Sequence, residues 1–221
     1  MLLDTTSLVN TIDNINEKFL YGEQIPQQEA LETARWITSL QHRKGSYRGM
    51  PAPTAYDFDH GIRVFTGEKL AYASARHILG EEASRAAWLL GGHDPEVRDA
   101  YHRTTSWMQD NPSFQHTGTF CCGKCSLAFW RHYWVSDYRN KQDYLLKGMQ
   151  WMKEKRLGNG KWRTLPFYYA IYTLLDLNLE SARAELAYAR PAMERFLRRI
   201  RQGEFSSRRV TIINRALETI Q

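Results

Sequence analysis

RLGNGKWRTLPFYYAIYTLLDL, residues 156–177, contains a turn, a helix start and a helix with no polar face. Gly158, Asn159 and Gly160 supply the turn, because glycine and asparagine tolerate positive φ where other side chains clash. Pro166 opens a helix at the position where a missing N–H costs nothing. From Phe167 to Leu175 that helix is apolar or aromatic on every side, which predicts that protein surrounds it. The preceding segment, 140–155, sets Tyr144, Leu145, Met149 and Met152 on one stripe and charges on the other, the pattern of a half-exposed outer helix. The unit is therefore an outer helix, a glycine turn carrying an aromatic, here Trp162, and an inner helix.

Two further stretches repeat it. Gln41, Gly45, Ser46 and Tyr47 precede Pro51, Pro53 and the segment 56–65, and Gln115, Gly118, Thr119 and Phe120 precede the segment 121–135. On these motifs the sequence resembles the α/α-toroid proteins, the terpenoid cyclases and the β subunits of protein prenyltransferases, whose repeats carry a glutamine, a short spacer and Gly-x-Trp. The first copy keeps the glutamine but has tyrosine, the second has phenylalanine, and the third has Arg156 for the glutamine but keeps Trp162. The resemblance covers about residues 30 to 200. It implies an all-α, α/α-toroid-like fold of about ten or eleven helices in antiparallel hairpins. Because the chain is short for six hairpins, the ring is expected to be partial or open. It also implies that inner helices run parallel, with their N-termini and any chemistry gathered at one mouth.

Residues 1–221 are read as a single domain, since 221 residues suffice for one well-buried core. The hydrophobic share of 43% against 24% charged is that of an ordinary water-borne protein. No run of eighteen apolar residues is present, and Met-Leu-Leu-Asp-Thr has no signal-peptide pattern, so no membrane span and a cytoplasmic location are expected. Three cysteines, all within 121–125, build no disulfide framework and suit a reducing compartment. The net charge of +6 comes largely from Arg190, Arg195, Arg198, Arg199, Arg201, Arg208 and Arg209, which read as a solvated helix face. No nucleic-acid-binding signature accompanies them, which disfavours such a partner.

Along the chain, helices are expected over 4–20, from Pro26 to Leu40, over 56–65, and over 69–79 and 81–90 with Gly80 between them. Asp94 and Pro95 start another that runs to about Gln109. The segment 180–200 follows, with a break or kink at Pro191, and Ser206 or Ser207 caps the last helix.

Candidate functional residues cluster at the three inner-helix starts. The prenyltransferases bind catalytic zinc through an aspartate, a cysteine at an inner-helix start and a histidine. The resemblance therefore makes zinc the candidate cofactor, with Cys121, Cys122, Cys125, His116 and His132 as candidate ligands, although the family's spacing is not matched. Cys-x-x-Cys lets two sulfurs reach one metal or each other. A metal-free reactive thiolate favoured by Lys124 and the helix dipole, and inert buried cysteines, are the competing readings. Cys121, Cys125, Asp59 and His60 are the candidate catalytic residues. Asp57-Phe58-Asp59-His60 looks like a truncated cyclase Asp-x-Asp-Asp acid, yet a two-residue spacing puts the two aspartates on different faces of a helix. Tyr56, Asp57, Arg131, Phe167, Tyr168, Tyr169 and Tyr172 are candidates for binding an apolar or anionic small molecule or a peptide. Arg131, in an apolar helix, must be paired or face a polar cavity. Two function classes follow: an enzyme with a metal- or thiol-dependent site, and a non-catalytic helical binding module with structural cysteines.

Overall fold

The computed structural model describes residues 1–200 and 202–221, with Tyr72 described by its backbone alone, so Arg201 of the basic C-terminal run lies outside the described residues. Among the described residues there are eleven α-helices, one short 3-10 helix and no strand beyond isolated bridges, so the chain is all-α as expected. It divides into two compact units, Met1–Asn111 with Val135–Tyr138, and Pro112–Trp134 with Arg139–Gln221.

The first unit contains α1 (Leu8–Tyr21), α2 (Gln27–Ser39), α3 (Ala55–His60), α4 (Tyr72–Gly91) and α5 (Pro95–Thr105), followed by the 3-10 turn Ser106–Met108. Helix α4 is its axis and packs against α1, α2 and α5. The caps follow from sequence: Ser7 accepts from the N–H of Asn10, and Asp94 accepts from Val97 with Pro95 behind it. Two expectations fail here. The helix of 56–65 ends at His60, because Gly61 turns to φ +89°, and 62–70 instead folds back on itself through Leu70 N–H to Ile62 O. Gly80 does not divide 69–90, since α4 runs through it. A Cβ at Gly80 would lie 3.1 Å from Met50 Cβ, so this glycine serves close packing rather than a break.

The second unit contains α6 (Pro112–Thr117), α7 (Gly123–Val135), α8 (Lys141–Glu154), α9 (Phe167–Asp176), α10 (Glu180–Arg198) and α11 (Ser206–Thr219). From Cys125 to Tyr133 every residue of α7 is buried, and α9 is buried from Tyr169 to Thr173 and at Leu174. Helices α8 and α10 bury one stripe each, Leu145, Gly148, Met149 and Met152 in the first and Ala182, Leu186, Ala189 and Met193 in the second. The expected contrast between inner and outer helices is therefore present in this unit. It fails in α3, where Tyr56 and Phe58 are 42% and 45% exposed. Pro191 lies inside α10 without ending it, Ile200 is exposed, and no serine caps α11, whose N-cap is Phe205.

Each glycine turn has the positive φ that its sequence calls for, at Gly45, Gly118, Gly158 and Gly160. The third turn is clasped onto α10. Trp162, 3% exposed, donates its indole N–H to Glu185 Oε2 at 2.8 Å, while Arg156 grips the same carboxylate with Nε at 3.1 Å and Nη2 at 2.8 Å. Tyr188 OH accepts from Gly158 N–H and donates to Lys161 O. In the first turn Gln41 does the work of Arg156, donating to Ala100 O at 2.8 Å and Thr104 Oγ1 at 3.1 Å on α5.

Candidate thiol site

The cysteines sit where the second glycine turn becomes α7. Gly118 lies so close to α8 that a Cβ there would be 2.1 Å from Gly148 N, and Trp130 donates its indole N–H to Gly118 O at 2.6 Å. The chain then passes Phe120, whose ring stacks on Phe129 and whose N–H is held by Ser126 Oγ. Cys122 O accepts the first bond of the helix, from Ser126 N–H at 2.8 Å, so Cys122 occupies the N-cap position. Gly123 follows because nothing larger fits: a Cβ would lie 2.4 Å from Thr164 O.

That contact brings the head of α7 to the segment just before Pro166 and α9. Further along, Arg131 of α7 reaches Tyr172 and Asp176 of α9. The contacts ascend together in both helices, so α7 and α9 run in the same direction, and two of the three expected inner-helix starts lie side by side.

Cys121 and Cys122 are exposed and Cys125 is buried. Cys122 Sγ and Cys125 Sγ lie 3.4 Å apart, and the Cys121 and Cys125 sulfurs are within 4.8 Å of each other. Partial burial pushes the Cys122 thiol up. The backbone N–H of Cys125, the thiols of Cys125 and Cys121 and the N–H of Lys124 outweigh it, and the net shift is downward. The sulfur stands where a serine or aspartate oxygen caps an ordinary helix, facing free N–H groups and the positive end of the dipole. Cys125 moves the opposite way: burial raises its thiol, and the neighbouring sulfurs, through hydrogen bonds and negative charge, raise it further. One dithiol thus holds an exposed sulfur that ionises more readily than an ordinary thiol and a buried one that holds its proton more tightly.

The remaining candidates are dispersed. Among the described residues neither histidine proposed as a metal ligand joins a group of closely spaced donor atoms: His132 is buried in α7, and His116, on α6, lines an open cleft with Lys147 and Trp151. Arg131 is fully buried and paired, Nε to Asp176 Oδ2 at 2.7 Å, with its guanidinium 4.1 Å from the Tyr172 ring centroid and 5.9 Å from that of Tyr169. These four residues form an ion-pair cage around a buried guanidinium. Phe167 and Tyr168 are half-buried and line a cleft of about 210 Å³ with Lys161, Arg195, Phe196 and Arg199.

In the first unit Asp57 is buried and accepts from Ser7 Oγ at 2.6 Å, Leu8 N at 3.0 Å, Val9 N at 3.2 Å, Thr54 N at 2.9 Å and Thr54 Oγ1 at 3.0 Å. It joins the starts of α1 and α3, and the donors gathered around its carboxylate leave no room for a ligand. Asp59 and His60 are exposed on the other face of α3, with the His60 ring stacked on Tyr56 at 3.8 Å. The two aspartates therefore share no cavity, and the acid that a cyclase reading needs has a structural task. Sequence reasoning also passed over a buried pair on α4, His77 Nε2 to Glu81 Oε1 at 2.8 Å. Burial raises the Glu81 carboxyl against the pull of His77. Its only signal in the sequence is the spacing of four residues on one helix.

The chain matches no protein-family model, no curated protein and no solved structure.

Proposed function

We propose that this chain is an α/α-toroid-like, ligand-binding protein whose chemistry is thiol–disulfide exchange at Cys122 and Cys125. The carrying observation is the pair of sulfurs 3.4 Å apart at the head of α7, one exposed and one buried. In the reaction the Cys122 thiolate attacks one sulfur of a disulfide in a small molecule or peptide. The substrate S–S bond breaks, its second sulfur leaves as a thiolate that takes up a proton, and a mixed disulfide with Cys122 forms. Capping Cys122 removes the negative charge that helps hold the proton on Cys125. Cys125 then loses its proton to solvent and attacks Cys122 Sγ. The Cys122–Cys125 bond closes, the substrate leaves as its second thiol, and two electrons have passed to it. The reduced dithiol is regenerated by a dithiol reductant, which the reducing cytoplasm supplies.

The toroid reading is supported by the parallel α7 and α9, the buried inner and striped outer helices of the second unit, and the matching roles of Gln41 and Arg156. No described helix is long and apolar enough to cross a membrane.

Mixing the reduced protein with a peptide disulfide tests the exchange. Cys125→Ala should accumulate a covalent mixed disulfide through Cys122, and Cys122→Ser should give none. A Cys125→Ala protein that stays unmodified sinks the proposal.

Zinc is the second reading, favoured by the approach of the Cys121 and Cys122 sulfurs, each separately, to that of Cys125. Ligand sulfurs about 2.3 Å from a tetrahedral zinc stand about 3.8 Å apart; Cys122 and Cys125 are 3.4 Å apart and Cys121 and Cys125 no more than 4.8 Å. Cys121, Cys122 and Cys125 would hold the ion, which would draw all three thiols into the thiolate form and block exchange. Stoichiometric zinc in protein purified without chelator, lost in Cys125→Ala, decides for this alternative.

A further inference from the structure

A second site lies wholly within the first unit. The loop of the first glycine turn, the exposed face of α3, the folded-back segment 62–70 and the first turns of α4 enclose a cleft of about 600 Å³. That volume falls within the range of small-molecule sites. Its walls are mixed: Tyr47, Phe58, Ile62, Leu70 and Ala73 supply apolar surface, and Ser46 and Arg76 supply polar groups.

Local sequence sets up each wall. Gly45, at φ +100°, lets the turn lie flat against Phe58, since a Cβ there would be only 3.3 Å from the ring. The Ile62–Leu70 floor is fixed by Leu70 N–H to Ile62 O at 2.8 Å and Val64 N–H to Glu68 O at 3.1 Å. Phe58 nonetheless remains 45% exposed, a large ring presented to the cleft with little to cover it.

Arg76 decides the chemistry. It is exposed and holds its guanidinium 5.6 Å from the Phe58 ring centroid. Among the described residues it makes no ion pair or hydrogen bond, and no carboxylate lines the cleft. A guanidinium with five donors beside an apolar trough is complementary to one carboxylate head on an apolar body. One cation is too little to balance a diphosphate, and it repels a cationic ligand.

We propose that this cleft binds a small amphiphilic monocarboxylate, its head paired with Arg76 and its body against Phe58, Ile62 and Leu70. The proposal does not rest on the thiol chemistry proposed above.

Calorimetric titration of the intact protein with octanoate and with its uncharged isostere octanamide tests it. Octanoate should bind roughly tenfold more tightly than octanamide, a ratio typical of one charge-assisted contact. Arg76→Gln should bring the two to equal affinity, and Ala73→Phe, which fills the trough from an exposed position, should abolish both. Cys122→Ser should leave binding unchanged, which separates failure here from failure of the exchange reaction. Equal affinities in the unaltered protein, no octanoate binding, a preference that survives Arg76→Gln, or binding that survives Ala73→Phe would each overturn the proposal, provided the variants melt like the parent.

Discussion

At Cys122 a sulfur takes the capping role usually given to oxygen, and the N–H groups that complete the helix start also favour its charge. Alkylation by iodoacetamide should therefore reach half its maximal rate below pH 9.0, the ordinary thiol value. Cys122→Ser should remove that fast phase. Cys125→Ala should move the midpoint upward, because the Cys125 backbone remains but its thiol donor is lost. A midpoint at or above the ordinary value would deny Cys122 its capped position. Arg131 makes a second argument at this scale. Asp176→Ala leaves a fully buried guanidinium without its carboxylate and should cost ~3–5 kcal/mol in urea unfolding. Replacing both partners, Arg131→Met with Asp176→Leu, should recover most of that loss, since a buried charge deprived of its carboxylate rather than the missing bond carries the cost.

The glycine turns act as elements because each is clamped to a helix. Trp162 is buried against α10, its ring beside Phe167 and Tyr188, so Trp162→Ala should cost ~3 kcal/mol or more by leaving a cavity and taking one of its donors from Glu185, which keeps Arg156. An unchanged melting midpoint would mean that the turn is not anchored there. Glycines in the same type of turn should differ sharply. Gly118→Ala drives a methyl to within 2.1 Å of the α8 backbone, where neither side can yield cheaply, and should cost ~3 kcal/mol or more. Gly158→Ala meets nothing within 4 Å and should cost only its positive-φ strain, ~1–2 kcal/mol. Similar losses at the two sites would refute the close approach of the second turn to α8.

For the whole molecule the clearest pH dependence is alkaline. Burial raises the Tyr101 hydroxyl well above its usual value, the charge and hydrogen bond of the Tyr138 hydroxyl and the Asp137 charge adding to it. Burial likewise pushes Tyr138 up to about 12, although its bond with Thr105 opposes the shift. Asp137, itself 3.4 Å from His102, adds negative charge beside both. A group raised in the folded state stabilises fully below its unfolded pKa and loses that contribution as pH climbs toward the folded one. Unfolding free energy should accordingly be insensitive to these tyrosines below about pH 10, the unfolded tyrosine value. It should fall between there and pH 12, and Tyr138→Phe should flatten that fall. A flat profile in the unaltered protein would show that neither hydroxyl is buried.

The helical class and most helix starts were legible in the sequence because they depend on near neighbours. Pro26, Asp94, Pro95 and Pro166 act through bonds and angles within a turn of the helix they open, and the burial of α7 and α9 follows from their lack of a polar face. The cysteine pair was legible for the same reason, since three residues of helix bring its sulfurs together. Gly80 misleads a local reading: the propensity cost of a glycine is local, but the Met50 side chain that requires it comes from 30 residues earlier in the chain. Asp57 is the stronger case. Its sequence shows an acid at a helix start, and only the fold brings Ser7, Leu8 and Val9 to it across about 50 residues. Arg131 and Asp176 meet across 45. Helix formation is decided by backbone bonds four residues apart, whereas the role of a buried charge depends on which distant group solvates it, and that is decided only by tertiary packing.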